Sequence, residues 1–191
     1  MKPIGREFFQ RDPETCAREL IGKVFRWNDC SGIIVETEAY AEHGDEACHT
    51  FVRPSARDFV TANPAGTAYV YLNYGMYWLS NVLVKDGSSN GFVLIRALEP
   101  LEGIPKMQNR RNKDRPRDLC SGPGKLSMAL GIKGDDHGRS LVRSTKRGFF
   151  IPDTQPLEVE VDVRIGISKA ADLPWRFLAK GSPFVSVAPK G

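Results

Sequence analysis

Apolar positions along the chain change their spacing several times, and each change predicts an element. In "RDPETCARELIG" the apolar residues fall at 16, 17, 20 and 21, the spacing of one helical face. Asp12 suits the N-cap, Pro13 the first helical position and Gly22 the stop. "KVFRW" and "GIIVETEAY" flank the turn-prone "NDCS" and predict a hairpin. Period-two alternation in its second strand sets Glu36, Glu38 and Tyr40 on one face and Ile33, Val35 and Thr37 on the other. The polar stretch from 41 to 64, which holds His43 and His49, predicts a long loop.

"TAYVYLNYGMYWLSNVLVK" predicts two strands joined at "NYG", with Tyr69, Tyr71 and Asn73 projecting from one face. "GFVLIRALEP" adds a strand ended by Pro100, followed by a helix over about 101–112 and another from Ser121 to Gly131. "LEVEVDVRIGI" is apolar at every second position from 157 to 167 and predicts the clearest strand, and "WRFLAKGSPFVSV" a last short one with a turn at "GSP". Strands before, between and after a few helices predict an α+β fold: one domain over 1–191, a curved, mostly antiparallel sheet with flanking helices and a protruding hairpin.

Composition narrows the class. With 41% hydrophobic and 26% charged residues, 18 Gly and 13 Pro, the chain is neither a fibre nor a disordered segment. No apolar run approaches the roughly 20 residues of a membrane helix, and the N-terminus lacks the apolar core of a secretory signal, so a cytoplasmic protein is expected. Cys16, Cys30, Cys48 and Cys120 form no CxxC pair and predict reduced, buried thiols. The net charge of +4 is uneven: residues 103–147 carry 12 Lys/Arg against 4 Asp/Glu, and the remainder 15 against 19. A local excess of this kind suits a polyanion as well as it suits a solvated face.

Four groups of residues bear on chemistry. Glu36 and Glu38, two apart on a strand, place their Cα atoms roughly 6.5 to 7 Å apart, within the range of paired carboxylates in glycoside cleavage; the plain alternative is charge shown to water at a sheet edge. His43, Asp45 and His49 in "HGDEACH" match no common zinc spacing, so no metal is expected, and His49 is better suited to hydrogen bonding or stacking in a pocket. Ser121, Gly122 and Lys125 in "LCSGPGKL" combine a helix N-terminus with an ammonium, an arrangement that attracts phosphate, although the motif is not the Walker pattern and does not imply nucleotide hydrolysis. Tyr69, Tyr71, Tyr74 and Tyr77 are four of the five tyrosines in the chain. Strand packing accounts for some of them, but Tyr74 falls at a hairpin tip, where an exposed aromatic suits insertion into a base stack.

The ordered blocks "VETEAY", "EACH", "GTAYVYLNYGMYWLSN", "VLIRALEPLEG", "LCSGPGKL" and "RGFF…RIGI…RFLAKGSPFVS" resemble the alkyladenine, or 3-methyladenine, DNA glycosylase family over almost the whole chain. The resemblance implies a monofunctional base-excision repair enzyme that turns a damaged purine out of double-stranded DNA and hydrolyses its N-glycosidic bond; no cofactor is expected, and a monomer suits an enzyme that scans a duplex. It implies that Glu38 is the general base, that Tyr40, His49 and Tyr71 form the base pocket, and that Asn81 screens against the amine of guanine. Tyr74 would fill the gap, with Met76 beside it and Arg96 at the DNA backbone. No Lys lies beside the pocket motifs, in keeping with base removal without strand cleavage. The competing readings are a non-catalytic nucleic-acid binder with tyrosines as a stacking platform, and a nucleoside or sugar hydrolase using Glu36 and Glu38 together.

Overall fold

A computed structural model describes residues 1–189. In chain order the elements are β1 (Lys2–Pro3), a 3-10 turn over Arg6–Phe9, α1 (Pro13–Leu20), β2 (Val24–Trp27), β3 (Cys30–Ala41), α2 (His49–Val52) and α3 (Pro54–Ala62). Then come β4 (Ala68–Asn73), β5 (Tyr77–Val84), β6 (Gly91–Glu102), α4 (Ile104–Arg111), α5 (Arg117–Cys120), α6 (Pro123–Leu130), β7 (Arg147–Ile151), β8 (Val159–Asp162) and β9 (Arg176–Ala179). The fold is α+β around one antiparallel sheet, in the order β1-β7-β2-β3-β6-β5-β4. Among the described residues no helix is long and apolar enough to cross a membrane.

β3 is the hub of the sheet. β6 runs along one of its edges, while the other edge is shared: residues 30–33 pair with β2, and 36–38 pair with β9, which in turn carries β8. The register against β6 slips where the partner changes, Ile34 facing Leu98 and Glu36 facing Ala97, so Val35 is an extra residue. A second slip, between Glu36/Ala97 and Thr37/Ile95, leaves Arg96 without a partner. Bulges of this kind bend a strand and re-aim its side chains.

The caps at α1 are as expected: Asp12 Oδ1 accepts the Thr15 N–H at 2.8 Å, and Cys16, Ala17 and Leu20 turn inward. Thr37 faces α1, its hydroxyl on Ala17 O at 2.8 Å, so it is opposite in side to Glu36 and Glu38. Most of the apolar residues form one core that joins α1, the central strands and α4 to α6. A smaller cluster of Cys48, Ala56, Phe59, Val60, Tyr69, Leu83 and Phe92, with Tyr40 and Tyr71 packed on it, lies beneath α2 and α3. All four cysteines are free and buried, and burial pushes Cys16 and Cys120 up to about 12 and Cys48 to about 11.

Several expected boundaries move. The stretch from 41 to 64 is not a long loop, since α2 and α3 occupy its second half and bury Ala56, Phe59 and Val60. β6 does not stop at Pro100 but continues to Glu102; Pro100 lies beside the shift between Gly32 and Ser31, where a missing N–H is tolerated. The following helix begins only at Ile104, because Leu101 and Glu102 extend the strand and Gly103, at φ 75°, breaks direction. At α6 the N-cap is Gly122, and Ser121 bridges to Ala97 instead. The strand expected from 157 to 167 is ordered only over Val159–Asp162, and the chain then turns inward at Arg164.

Candidate active site

The two glutamates on β3 are both fully buried, and they are tied up differently. Glu36 Oε1 accepts from Arg96 Nε at 2.9 Å, Arg176 Nε at 2.9 Å and the Ser186 hydroxyl at 2.8 Å, while Oε2 accepts the Ser186 N–H at 2.6 Å. With about four acceptor sites per carboxylate, two on each oxygen, Glu36 is crowded on Oε1 and takes a single bond on Oε2. Glu38 accepts three hydrogen bonds: Tyr40 OH at 2.8 Å and Arg96 Nη1 at 3.1 Å on Oε2, and the Ile165 N–H at 2.7 Å on Oε1. One acceptor site on Oε1 is therefore left over. The two carboxylates differ in number and kind of partner: Glu36 accepts four hydrogen bonds, from Arg96, Arg176 and Ser186, and Glu38 three, one of them from Tyr40.

Beside this cluster opens a cavity of about 160 Å³ lined by Tyr40, Ala47, His49, Tyr69, Tyr71, Asn73, Asn81, Phe92, Gly166 and Ile167. Strand alternation on β4 brings Tyr69, Tyr71 and Asn73 to it as expected, and β3, α2 and β5 deliver Tyr40, His49 and Asn81. His49 and Tyr71 meet edge to face with centroids 4.3 Å apart, and Tyr69 stacks on Phe92 at the same separation. Tyr69 OH meets His49 Nδ1 at 3.0 Å, so this tyrosine lines the cavity as well as packing the hairpin. The Asn81 amide donates to Tyr69 O at 3.1 Å. Burial, and next the Glu38 charge, raises the Tyr40 phenol far above its usual range, and burial pushes Tyr71 up to about 12. Tyr40 is thus held as a donor to Glu38.

Burial, with Arg53 adding to it, pushes His49 down to about 4. Its folded value lies below the unfolded one near 6.5, so the unfolded chain protonates first. The stability that neutral His49 contributes is complete above about pH 6.5 and lost as the pH falls toward 4. Urea melts at pH 7.5 and 5 are expected to show lower stability at pH 5, with the difference narrowed in His49→Gln; an unchanged difference in that variant refutes the assignment.

The hairpin tip carries Tyr74 and Met76, 82% and 67% exposed, with Leu72 and Tyr77 partly exposed below them. Tyr74 has φ 50° and Gly75 φ 69°, and the Met76 N–H closes the turn on Asn73 O at 3.0 Å. The α6 N-terminus abuts the base of the tip, where Gly124 leaves room for Tyr77: a Cβ there would lie 2.9 Å from that of Tyr77. Gly122 is buried, Ser121 half-buried and Lys125 exposed, so of the expected phosphate group Lys125 alone is free at the surface. The basic segment is partly spent internally, as Arg110 binds Ala129 O, Arg111 the carbonyls of Leu119 and Asp118, and Arg115 and Arg139 pair with Asp118 and Asp136. Lys106, Arg115 and Arg139 are the cations of the segment in ion pairs among the described residues, and Lys113, Arg117, Lys125 and Arg143 are among those outside them.

Arg96 is not where the DNA backbone could reach it. Its side chain is buried between the two glutamates, and although burial disfavours its charge, Glu38 and Glu36 hold its pKa above the ordinary value. The bulge that removes it from the ladder turns it inward. No group of three metal-binding side chains exists among the described residues, and Asp45 is engaged by Arg164.

Residues 164–167, expected as the end of a strand, carry no site role in the sequence beyond their place in the "RIGI" block. Ile165 supplies the N–H on Glu38, Gly166 and Ile167 line the cavity, and Arg164 pairs with Asp45. The only local signal is an Arg-x-Gly break in an otherwise alternating strand pattern. Arg53, with its guanidinium carbon 5.7 Å from the Tyr71 ring centroid, is a further cation at the cavity rim.

A family model described as methylpurine-DNA glycosylase matches residues 7–183. A protein from Rhodopseudomonas palustris (strain ATCC BAA-98 / CGA009), carrying the name "Putative 3-methyladenine DNA glycosylase", is 47% identical over 183 residues, 96% of this chain and 87% of its own length. Proteins of the same name from Chlorobaculum tepidum and Agrobacterium fabrum are 41% identical over 196 residues and 44% over 183, covering 100% and 96% of this chain and 94% and 92% of theirs.

Proposed function

Because the chain belongs to the methylpurine-DNA glycosylase family, and is thereby a DNA glycosylase, we propose that it turns alkylated or deaminated purines out of double-stranded DNA and hydrolyses their N-glycosidic bonds. The substrates are 3-methyladenine, hypoxanthine and ethenoadenine, and the product is an abasic site. The observation that carries this reading is the link from Glu38 to the aromatic cavity: the carboxylate accepts from Tyr40, one of the cavity's walls, and from the N–H of Ile165, next to Gly166 in that wall, and keeps one oxygen with a single bond.

The base enters between the flat walls supplied by Tyr40, His49 and Tyr71. Electron-rich rings favour a purine made cationic by ring alkylation, and extrusion costs least where damage has already weakened pairing. Glu38 takes a proton from the water as it attacks the sugar C1′, and the purine leaves with the glycosidic electron pair. Asn81, its amide pinned on Tyr69, meets the purine edge and rejects a 2-amino group. Tyr74, flanked by Met76, fills the vacated stack, and Lys125 with other free cations of the basic segment meets phosphates. The enzyme works as a monomer, in the cytoplasm and on the nucleoid.

The test is incubation with duplexes carrying each of the three lesions, followed by detection of abasic sites; no release from any of them overturns the reading. Tyr74→Ala is expected to slow release from duplex by roughly tenfold or more, since base stacking on an aromatic is worth about 1–3 kcal/mol, and to slow release from single strands much less. Equal slowing on both would remove the wedge role.

A further inference from the structure

The ion pair of Arg164 and Asp45 takes no part in the chemistry above, yet it borders the cavity through three separate segments. Arg164 Nη1 and Nη2 donate to Asp45 Oδ2 and Oδ1 at 2.6 and 2.8 Å, and both side chains are fully shielded from solvent. Nη1 also donates to Ala39 O and Nη2 to Ala170 O, each at 2.9 Å. Asp45 accepts the N–H groups of Ala41 at 3.2 Å and Ala47 at 3.0 Å. The guanidinium carbon lies 4.7 Å from the centroid of the Tyr40 ring, and Tyr40, Ala47, Gly166 and Ile167 all line the cavity.

A guanidinium on Tyr40 has a consequence for any base that is itself a cation. An aromatic ring attracts positive charge through its quadrupole, but a cation already in place repels a second one. Arginine cannot relieve this by losing its proton. The bidentate carboxylate does relieve it, because the buried pair is neutral as a unit. Resting on the glycosylase reading, we propose that Asp45 is a specificity-determining residue: by neutralising Arg164 against Tyr40 it lets the cavity accept purines made cationic by ring-nitrogen alkylation as well as neutral deaminated ones. Arg164 is the fork that ties β3, the turn before α2 and the 164–170 segment into one wall, and Asp45 removes the electrostatic penalty of using it.

The test compares single-turnover release of 3-methyladenine, cationic while attached to the sugar and without a 2-amino group, and hypoxanthine, a neutral base, from otherwise identical duplexes. Asp45→Asn leaves the guanidinium uncompensated and is expected to lower the ratio of 3-methyladenine to hypoxanthine release on the order of tenfold, the effect of one unit charge acting through a partly screened interior. Hypoxanthine release reports folding in the same variant. Arg164→Met and the double variant Asp45→Asn/Arg164→Met lack the guanidinium on Tyr40 and are expected to keep the ratio at or above that of the unaltered protein, even where lost packing slows both reactions. An equal fall for both bases in Asp45→Asn, or a depressed ratio in Arg164→Met, overturns this inference and leaves the glycosylase reading standing. Should Asp45→Asn not fold, the ratio in Arg164→Met decides alone. Release of neither base by the unaltered protein overturns both.

Discussion

Glu38→Gln is expected to lower base release by roughly 10² to 10⁴-fold, the range over which a positioned general base contributes, while the protein still binds lesion-containing duplex. The substitution removes more than a charge. Tyr40 OH, Arg96 Nη1 and Ile165 N–H all donate toward the carboxylate, and a glutamine amide can accept from only one side. One of the donors then faces an NH₂ group, and a buried donor left unpaired costs about 1–3 kcal/mol. The variant should accordingly melt at lower temperature as well as react slowly. Single-turnover release from a hypoxanthine duplex, measured with DNA binding and a thermal melt, separates the two effects. Release at the unaltered rate would eliminate Glu38 as the base. Glu36→Gln is expected to act chiefly on stability, because Glu36 is bonded by Arg96, Arg176 and Ser186, none of which lines the cavity.

Arg96→Met is expected to cost roughly 3–5 kcal/mol of stability, as removal of one partner from a buried ion pair does. Here one cation is shared by two carboxylates, at 2.9 Å from Glu36 and 3.1 Å from Glu38. Without it Glu38 loses its buried countercharge and the donor that orients Oε2, so the rate of base release falls as well. A surface arginine on a phosphate would behave otherwise: its loss would weaken DNA binding and reduce the salt slope by about one, leaving the melting temperature alone. Melting curves and binding at several salt concentrations therefore distinguish the buried role from the backbone-contact role that the family resemblance implies. A variant of unaltered stability with a shallower salt dependence would refute the buried role.

Much of the sheet was legible because local patterns sufficed. Asp12 and Pro13 mark α1, strict alternation marks the face of β3 that bears Glu38 and Tyr40, and the same rule on β4 groups Tyr69, Tyr71 and Asn73 at one cavity. Interactions between distant residues left no such trace. Arg96 looks like a surface charge in a strand, and what draws it inward lies 58 and 60 positions away. Arg164 and Asp45 are 119 apart. The apolar alternation after Val159 persists on paper to 167, but the chain leaves the sheet after Asp162, where the Ile165 N–H and the Arg164 side chain are used on Glu38 and Asp45. α2 and α3 were hidden because each is short, and only Ala56, Phe59 and Val60 mark the buried side of α3.

The C-terminal latch on Glu36 bears on when the protein becomes an enzyme. Glu36 and Glu38 belong to the first quarter of the chain, but the groups that hold them come late: Ile165 on Glu38, Arg176 and Ser186 on Glu36, and the Val187 carbonyl on Arg176. During synthesis the central strands and the aromatic walls can form well before residue 186 leaves the ribosome. The two carboxylates then have Arg96 alone between them. Seating of the two carboxylates thus waits until residues 165–187 have been added, so a chain stopped or clipped before them can form the aromatic walls without holding Glu36 and Glu38 in place.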